Sequence, residues 1–319
     1  MVGESSFRTG VDAVIDRPEA VLIAGPTASG KSALALTLAG ALDGVIVNAD
    51  SAQVYVELAI LTARPSADDE ARAEHRLYGY RQASMPFSVA DWLADMADVL
   101  AALRSAGRTA IIVGGTGLYF RALTQGLADV PDIPPEIRAH WRAEALANGA
   151  ERLHLELARR DPHMAERLRP SDAQRIARAL EVIEATGRSL ALWQADAPRP
   201  PLLQPGTTRR FTVEIDRALL HARIDARFEQ MVASGALAEA RSVASLGLDP
   251  SLPAMRAIGV RPLIAAIRGE LDLAEAIARG QAESRQYAKR QVTWLRHQMA
   301  DWQRITPDLD VLSLVREWV

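Results

Sequence analysis

An α/β fold with a parallel sheet and an inserted all-helical domain is predicted by three features of the sequence. Short apolar runs of strand length alternate with helix-patterned segments up to residue 128 and return from residue 206. Between them the chain is rich in Ala, Arg, Glu and Leu at helical spacing, with no convincing strand. Two proline-rich stretches bracket that segment, Asp129-Val130-Pro131-Asp132-Ile133-Pro134-Pro135 and Ala197-Pro198-Arg199-Pro200-Pro201. The expected organisation is a discontinuous core, 1–128 and 206–319, around a helical domain at 129–205.

Residues 20–25 (Ala-Val-Leu-Ile-Ala-Gly) read as a fully buried strand and Ser32 to Leu42 as the helix after it. Residues 45–49 form a second strand ending at Asp50, and 109–113 a third, ending in Gly114-Gly115-Thr116-Gly117. A helix is predicted from Ser88 to Ser105, with Gly107 as its stop signal, and another over 285–296. Residues 211–215 (Phe-Thr-Val-Glu-Ile) look like a strand returning to the sheet. Strands joined by helices imply right-handed parallel crossovers, and such sheets collect ligands at the carboxyl ends of their strands. Asp50 and Thr116 fall at such ends.

Composition removes several classes of function. There is no cysteine, which excludes disulfides, thiolate metal sites and cysteine nucleophiles. The first twenty residues lack an apolar signal core, and no run reaches the length of a membrane span. A cytoplasmic protein without membrane contact is expected. The net charge of −3 argues against a strongly basic nucleic-acid binder. Of the 37 basic residues only Lys31 and Lys289 are lysine. In a chain that otherwise uses arginine, these two mark places where a compact point charge is needed and a wide planar fork will not serve.

Lys31 has an evident reason. Gly25-Pro26-Thr27-Ala28-Ser29-Gly30-Lys31-Ser32 follows the pattern Gly-x4-Gly-Lys-Ser between a buried strand and a helix. This is a phosphate-binding loop, so the core is P-loop NTPase-like. Its glycines let backbone N–H groups turn around phosphate oxygens, and the lysine adds a mobile positive charge. Ser32 can ligate Mg2+, and the helix N-terminus adds its dipole. The loop alone implies a nucleotide-binding protein, an ATP-binding hydrolase or kinase. Hydrolases of this type usually carry a magnesium-holding aspartate after a buried strand, yet Ile111-Ile112-Val113 runs into glycines. Only Asp50 is available for that place, and if it has another job the loop serves something other than ATP hydrolysis.

Further along, Leu220, Ile224, Phe228 and Met231 form an apolar helical stripe. Arg227 lies on that stripe rather than opposite it, and a charge there needs a partner or must reach water.

The segment Asp50-Ser51-Ala52-Gln53-Val54-Tyr55 behind the phosphate loop resembles the tRNA dimethylallyltransferase (IPP transferase) family. Further matches follow in order: His75-Arg76-Leu77, Val113-Gly114-Gly115-Thr116-Gly117-Leu118-Tyr119, Gln174-Arg175-x-x-Arg178-Ala179-Leu180-Glu181-Val182, Arg256-Ala257-Ile258-Gly259, and Lys289-Arg290-Gln291-Val292-Thr293-Trp294-Leu295-Arg296. Several are weak singly, but their ordered combination is highly specific and spans about residue 20 to 300. The resemblance implies transfer of a dimethylallyl group from dimethylallyl diphosphate to N6 of adenosine 37 in tRNAs reading codons that begin with U. The loop would then cradle a prenyl diphosphate with magnesium rather than a nucleoside triphosphate.

The resemblance also implies roles. Asp50 becomes the base and Thr116 a hydrogen-bonding partner near the reacting centre. Gly25 to Ser32 and Arg227 become diphosphate ligands. Contacts to the tRNA anticodon stem-loop fall on Asp50, Ser51, Ala52, Gln53 and Thr116, on Arg138, and on Gln174, Arg175, Ile176, Ala177 and Arg178. They continue on Arg256, Ala257, Ile258, Gly259, Val260 and Arg261, then on Lys289, Arg290, Gln291, Val292, Thr293, Trp294, Leu295 and Arg296. Helical spacing puts Arg285, Lys289 and Arg296 on one face. Arg175 and Arg178 are expected to face away from Ile176, Leu180 and Ile183. The helical domain would clamp the anticodon stem, and the protein would work as a monomer.

Two segments depart from the family. Leu61-Thr62-Ala63-Arg64-Pro65 stands where Gly-Thr-Ala-Lys-Pro is usual, which questions the backbone turn at Leu61. Val260 stands where an aromatic is usual, so a ring contact to tRNA is expected to be missing. Outside the family, a small-molecule P-loop kinase and an RNA-binding nucleotide switch remain as alternatives. The switch lacks any Asn-Lys-x-Asp guanine motif.

Overall fold

The computed structural model describes residues 17–196 and 199–318. Most of the N-terminal stretch read above, up to residue 16, and Ala197 and Pro198 of the second proline-rich break lie outside the described residues. The chain forms two compact units, one of residues up to Thr124 and from Leu203, the other of Gln125–Leu202.

The first unit is built on a parallel sheet. Its opening half contains β1 (Ala20–Ala24), α1 (Lys31–Leu42), β2 (Val45–Asn48), α2 (Ala67–Arg72), β3 (His75–Arg76), α3 (Val89–Ser105), β4 (Ala110–Gly114) and α4 (Gly117–Gln125). The second unit is helical: α5 (Pro135–Arg160), α6 (Pro162–Arg167), α7 (Ala173–Thr186) and α8 (Leu190–Ala195). The core then resumes with β5 (Thr208–Val213), α9 (Arg217–Ala233), α10 (Ala236–Ser245), α11 (Val260–Ile267), α12 (Leu273–Gln298), β6 (Gln303–Ile305) and α13 (Val311–Trp318).

The strand order is β3-β2-β4-β1-β5-β6, and every pairing is parallel. β1, β2 and β4 are buried along their whole length, as their unbroken apolar runs require in a sheet covered on both faces. On one side Leu34 and Leu38 of α1 pack with Val21, Ile23, Ile111 and Phe211. On the other, Trp92 of α3 stacks on Tyr119 of α4 with ring centroids 4.2 Å apart, and its indole N–H donates to the Asn48 carbonyl at 3.0 Å.

Helix α3 begins where its signals placed it. The Asp91 N–H donates to Ser88 Oγ at 3.2 Å and the Ser88 N–H to Asp91 Oδ2 at 2.8 Å, a capping box. The returning strand differs from expectation: β5 starts at Thr208 and stops at Val213, because Thr208, Arg209 and Arg210 pair with Ala20, Val21 and Leu22. The short strands β3 and β6 were not foreseen. Both lie at sheet edges, where brief polar strands leave no apolar signature.

In the helical unit, Trp141, Leu153, Leu157, Ile176, Leu180 and Leu190 form the core. The buried face of α7 is wider than a single stripe and takes in Ala177, Ala179, Glu181 and Val182.

Candidate active site

The phosphate loop lies at the carboxyl end of β1, between the ends of β4 and β5. It curls by placing Ala28 (φ 61°) and Gly30 (φ 93°) in the left-handed region. Helix α1 starts with no side-chain cap and no acidic residue in its first turn, so its positive end is left for a ligand. Ser29 is fully buried and its hydroxyl has no partner among the described residues, while the Lys31 ammonium donates back to the Pro26 carbonyl at 3.2 Å. Ser32 is exposed at the mouth.

Asp50 stands on a turn made by its neighbours. The fully buried Asn48 side chain accepts from the Asp50 N–H at 2.8 Å and donates to the Asp50 and Leu77 carbonyls at 2.9 and 3.0 Å. Asp50 Oδ1 accepts from the Ala52 N–H at 3.0 Å. Thr116 closes the turn: its hydroxyl accepts from the Ser51 N–H at 2.9 Å and lies 3.2 Å from Ser51 Oγ. The run Gly114-Gly115-Thr116-Gly117 is open because each glycine is crowded. A Cβ would lie 2.1 Å from the Ala49 carbonyl oxygen at 114, 2.0 Å from the Gln291 amide at 115, and 2.0 Å from the Trp294 ring at 117.

Helix α12 ties these pieces together. Gln291 is buried; its Oε1 accepts from the Thr27 N–H and its Nε2 donates to the Gly115 carbonyl, each at 2.9 Å. One side chain thus locks the phosphate loop to the turn that carries Thr116. The Tyr287 hydroxyl interacts with the Thr116 and Gln291 side chains, and burial together with the Asp50 charge pushes its pKa well above the usual phenol range. Sequence reading missed Asn48 and Tyr287 and gave Gln291 a different role. Only the spacing of Tyr287 and Gln291, one turn apart, hinted at a shared face.

The charges here are unbalanced. Burial lowers the Lys31 pKa to about 8, Asp50 opposes that fall, and Arg227 adds to it. Burial also pushes Arg227 below its usual range, again opposed by Asp50. Two desolvated cations therefore share one carboxylate. Among the described residues Arg227 has no ion pair, so the partner that its place on the apolar stripe demands is not supplied by the chain. Arg227 borders a cavity of about 60 Å³ with Thr27 and Ala28 at one side and Leu61, Ile224, Phe228 and Ile258 as apolar walls.

Other expected site residues divide by burial. Arg175, Arg256, Arg261, Lys289, Arg290, Thr293 and Arg296 are exposed, as is Gln174. Ile176, Ala177, Ala257, Gly259, Val260, Gln291 and Leu295 are buried. Val260 packs in the core with Leu61, Met255 and Leu263. Arg178 does not stand free on the polar face: it pairs at 3.2 Å with the buried Glu181. Arg285 is half-buried and paired with Asp225, so it does not share an open basic face with Lys289 and Arg296. Gln53 braces the chain, its Nε2 donating to the Thr62 and Ala63 carbonyls at 2.8 Å each. Trp294 is half-buried, and its indole N–H has no partner among the described residues. In the helical unit, Arg138 is half-buried, with no partner for its Nε among the described residues. The turn at Leu61 is unstrained, since Ala63 (φ 50°) carries the left-handed position. Arg64 donates to the Tyr55 carbonyl at 3.3 Å and lies over Gly79.

Fold and site together define a P-loop-type α/β protein with a carboxylate, Asp50, beside the loop. The family model described as IPP transferase matches residues 53–298, and the chain belongs to that family. It is 54% identical to a tRNA dimethylallyltransferase of Azorhizobium caulinodans over 93% of this chain and 96% of that protein. Its identity to the tRNA dimethylallyltransferase of Methylocella silvestris is 56%, over 88% of this chain and 92% of the relative. The crystal structure of the full-length tRNA isopentenylpyrophosphate transferase from Bacillus halodurans matches with a TM-score of 0.66 at 31% identity, covering 94% of each chain. A eukaryotic dimethylallyltransferase acting on tRNA shares the fold, with a TM-score of 0.75 at 22% identity over 92% of this chain and 74% of its own.

Proposed function

We propose that the protein transfers a dimethylallyl group from dimethylallyl diphosphate to N6 of adenosine 37 in tRNAs reading codons that begin with U. The products are N6-isopentenyladenosine and diphosphate. The observation that carries this reading is the charge imbalance at the phosphate loop. Lys31 and Arg227 are desolvated with only Asp50 to balance them, and an apolar cavity opens beside them. An anion with a short aliphatic tail satisfies both halves of that environment.

In the proposed reaction N6 attacks the first carbon of the dimethylallyl group as the carbon–oxygen bond to diphosphate breaks. Asp50 takes the proton that N6 gives up. The adenine amine is a poor nucleophile, so a positioned base matters, and the Asn48 turn provides that positioning. Thr116 orients the segment carrying Ser51. Lys31, Arg227 and the loop N–H groups receive the charge that develops on the leaving diphosphate. The target base must leave the anticodon stack to reach Asp50, at a cost of roughly a few kcal/mol.

The donor set suits magnesium. Among the described residues no cluster of acids or histidines could hold a metal by itself. Magnesium commonly binds through few protein ligands plus phosphate oxygens and water, a role open to the exposed Ser32 hydroxyl. When bound it would neutralise charge on the diphosphate. Arg138, Arg175, Lys289, Arg290 and Arg296 are the proposed phosphate contacts to tRNA, with Gln174, Arg256 and Thr293 as further polar contacts. The helical unit is the proposed clamp on the anticodon stem, and the single chain is the proposed working form.

The test is mass spectrometry of anticodon-loop nucleosides after unmodified tRNA is incubated with the protein, dimethylallyl diphosphate and magnesium. Isopentenyladenosine at position 37 is expected. ATP turnover with no prenyl label reaching tRNA would sink the proposal and favour a kinase.

A further inference from the structure

A tyrosine faces the reacting centre without a part in the chemistry so far. Tyr287 lies on α12 one turn before Gln291, the residue that joins the phosphate loop to Gly115. Its hydroxyl meets the side chains of Thr116 and Gln291 and feels the charge of Asp50. The ring is held from two directions. Ala288 beside it is fully buried with Leu220 and Ile224 of α9, which fixes the rotation of α12. The Arg290 guanidinium lies over the ring, 5.6 Å from its centroid.

The hydrogen-bonding groups around the phenol leave its proton unspent. Gln291 Oε1 accepts from the Thr27 N–H, which sets the orientation of the amide, and Nε2 gives one proton to the Gly115 carbonyl. The second proton on Nε2 serves the phenol oxygen. The phenol proton is then directed at Thr116, whose hydroxyl already accepts from the Ser51 N–H, or at an incoming ligand. A turn about the phenol C–O bond exchanges the two. Burial and the Asp50 charge oppose ionisation, so the phenol stays a donor at neutral pH.

Asp50 supplies a matching acceptor. Its Oδ1 accepts from the Ala52 N–H, while Oδ2 has no hydrogen bond among the described residues. A Cβ at Gly115 would lie 3.3 Å from that Oδ2 and 2.0 Å from Gln291 Nε2. Gly115 therefore keeps open the space between the carboxylate and the amide that touches the phenol.

An acceptor and a donor side by side match an edge of adenine. N6–H is a donor, and the ring nitrogens flanking it, N1 and N7, are acceptors. Guanine would set its O6, an acceptor, against the carboxylate. We infer that Tyr287 donates a hydrogen bond to a ring nitrogen beside N6 of the target adenine, so that Asp50 and Tyr287 together read the base. This rests on the prenyl-transfer reading above and deepens it. The same bond holds N6 against the carboxylate that takes its proton.

The experiment uses anticodon stem-loop RNAs carrying adenosine, 1-deazaadenosine or 7-deazaadenosine at position 37, with dimethylallyl diphosphate and magnesium. Prenylated nucleoside is read by mass spectrometry, and kcat/KM is compared between the parent and Tyr287→Phe. The parent-to-variant ratio should be about tenfold or more on adenosine, and about one on the analogue that lacks the nitrogen the phenol meets. A ratio near one on adenosine, or the same ratio on all three RNAs, overturns the inference. If Tyr287→Phe does not fold, 3-fluorotyrosine at position 287 keeps the ring and strengthens the donor. A ratio that departs from one on adenosine and returns to it on one analogue then supports the inference, and a uniform ratio overturns it. A parent that leaves the adenosine RNA unmodified refutes the prenyl-transfer reading itself, a result distinct from any change of ratio.

Discussion

The arginines of the helical unit and the cations of the phosphate site are used in opposite ways. In the helical unit Arg160 lies 3.1 Å from Glu184, Arg178 3.2 Å from Glu181 and Arg188 2.6 Å from Asp196. Each of these charges is answered by a carboxylate of the same unit. At the phosphate site Lys31 and Arg227 are more desolvated, yet they share Asp50 alone. A protein that left such charges uncompensated for no purpose would lose stability. The contrast separates charges that hold the fold from charges kept in waiting for a ligand.

The largest expected effect tests the carboxylate. Asp50→Asn should lower kcat by about 10²–10⁴-fold while tRNA affinity holds, because the base is lost and the turn is kept. Near-parental kcat in single-turnover kinetics would remove Asp50 as the base and leave its charge as a counter-ion only.

Next comes the waiting charge itself. Lys31→Met should raise the KM for dimethylallyl diphosphate at least about tenfold, since a charge-assisted contact to the leaving group is gone. It should also make the free protein more stable at pH 7. The sign follows from a folded pKa of about 8 against an ordinary 10.5. The penalty for burying the charged form is fully present below pH 8 and is relieved as pH rises toward 10.5. The stability gain of the variant, read as Tm, should therefore shrink above pH 8, and donor affinity of the parent should fall over the same range. A variant less stable than its parent at pH 7 would mean that Lys31 belongs with the structural charges.

The smallest effects lie in the helical unit. Arg178→Ala strands the buried Glu181 and should cost about 1–3 kcal/mol in denaturant unfolding. Arg175→Ala, exposed and only 3.5 Å from a half-buried Asp172, should stay within about ±0.5 kcal/mol and act on tRNA affinity alone. If Arg175→Ala instead destabilises like Arg178→Ala, the helical unit has no charges to spare for RNA.

Much of the core and part of the site were legible from local pattern. The buried strands, the span of α3 and the phosphate loop announce themselves within a few residues, because backbone geometry and hydrogen bonding there are short-range. Arg227 was identifiable as an anomaly from helical spacing, Lys31 from the loop pattern and Asp50 from its strand end, but nothing in the sequence showed that their charges would meet. The edge strands β3 and β6 escaped because a few polar residues gain their pairing only from a neighbour already in place. The acid partners of Arg178 and Arg285 escaped for a related reason: spacing tells which face a side chain leaves from, and not which acid it meets.

The sequence by itself determined that a parallel sheet would present a phosphate loop, with Asp50 and Thr116 at strand ends. Only the tertiary structure decided how those parts are locked into one site. Gln291 reaches the Thr27 N–H across 264 residues of chain, and Glu239 reaches the loop at Ala59 across 180. Contacts so distant in sequence leave no periodic trace. They depend on where whole helices pack, and packing is settled by the folded chain as a unit.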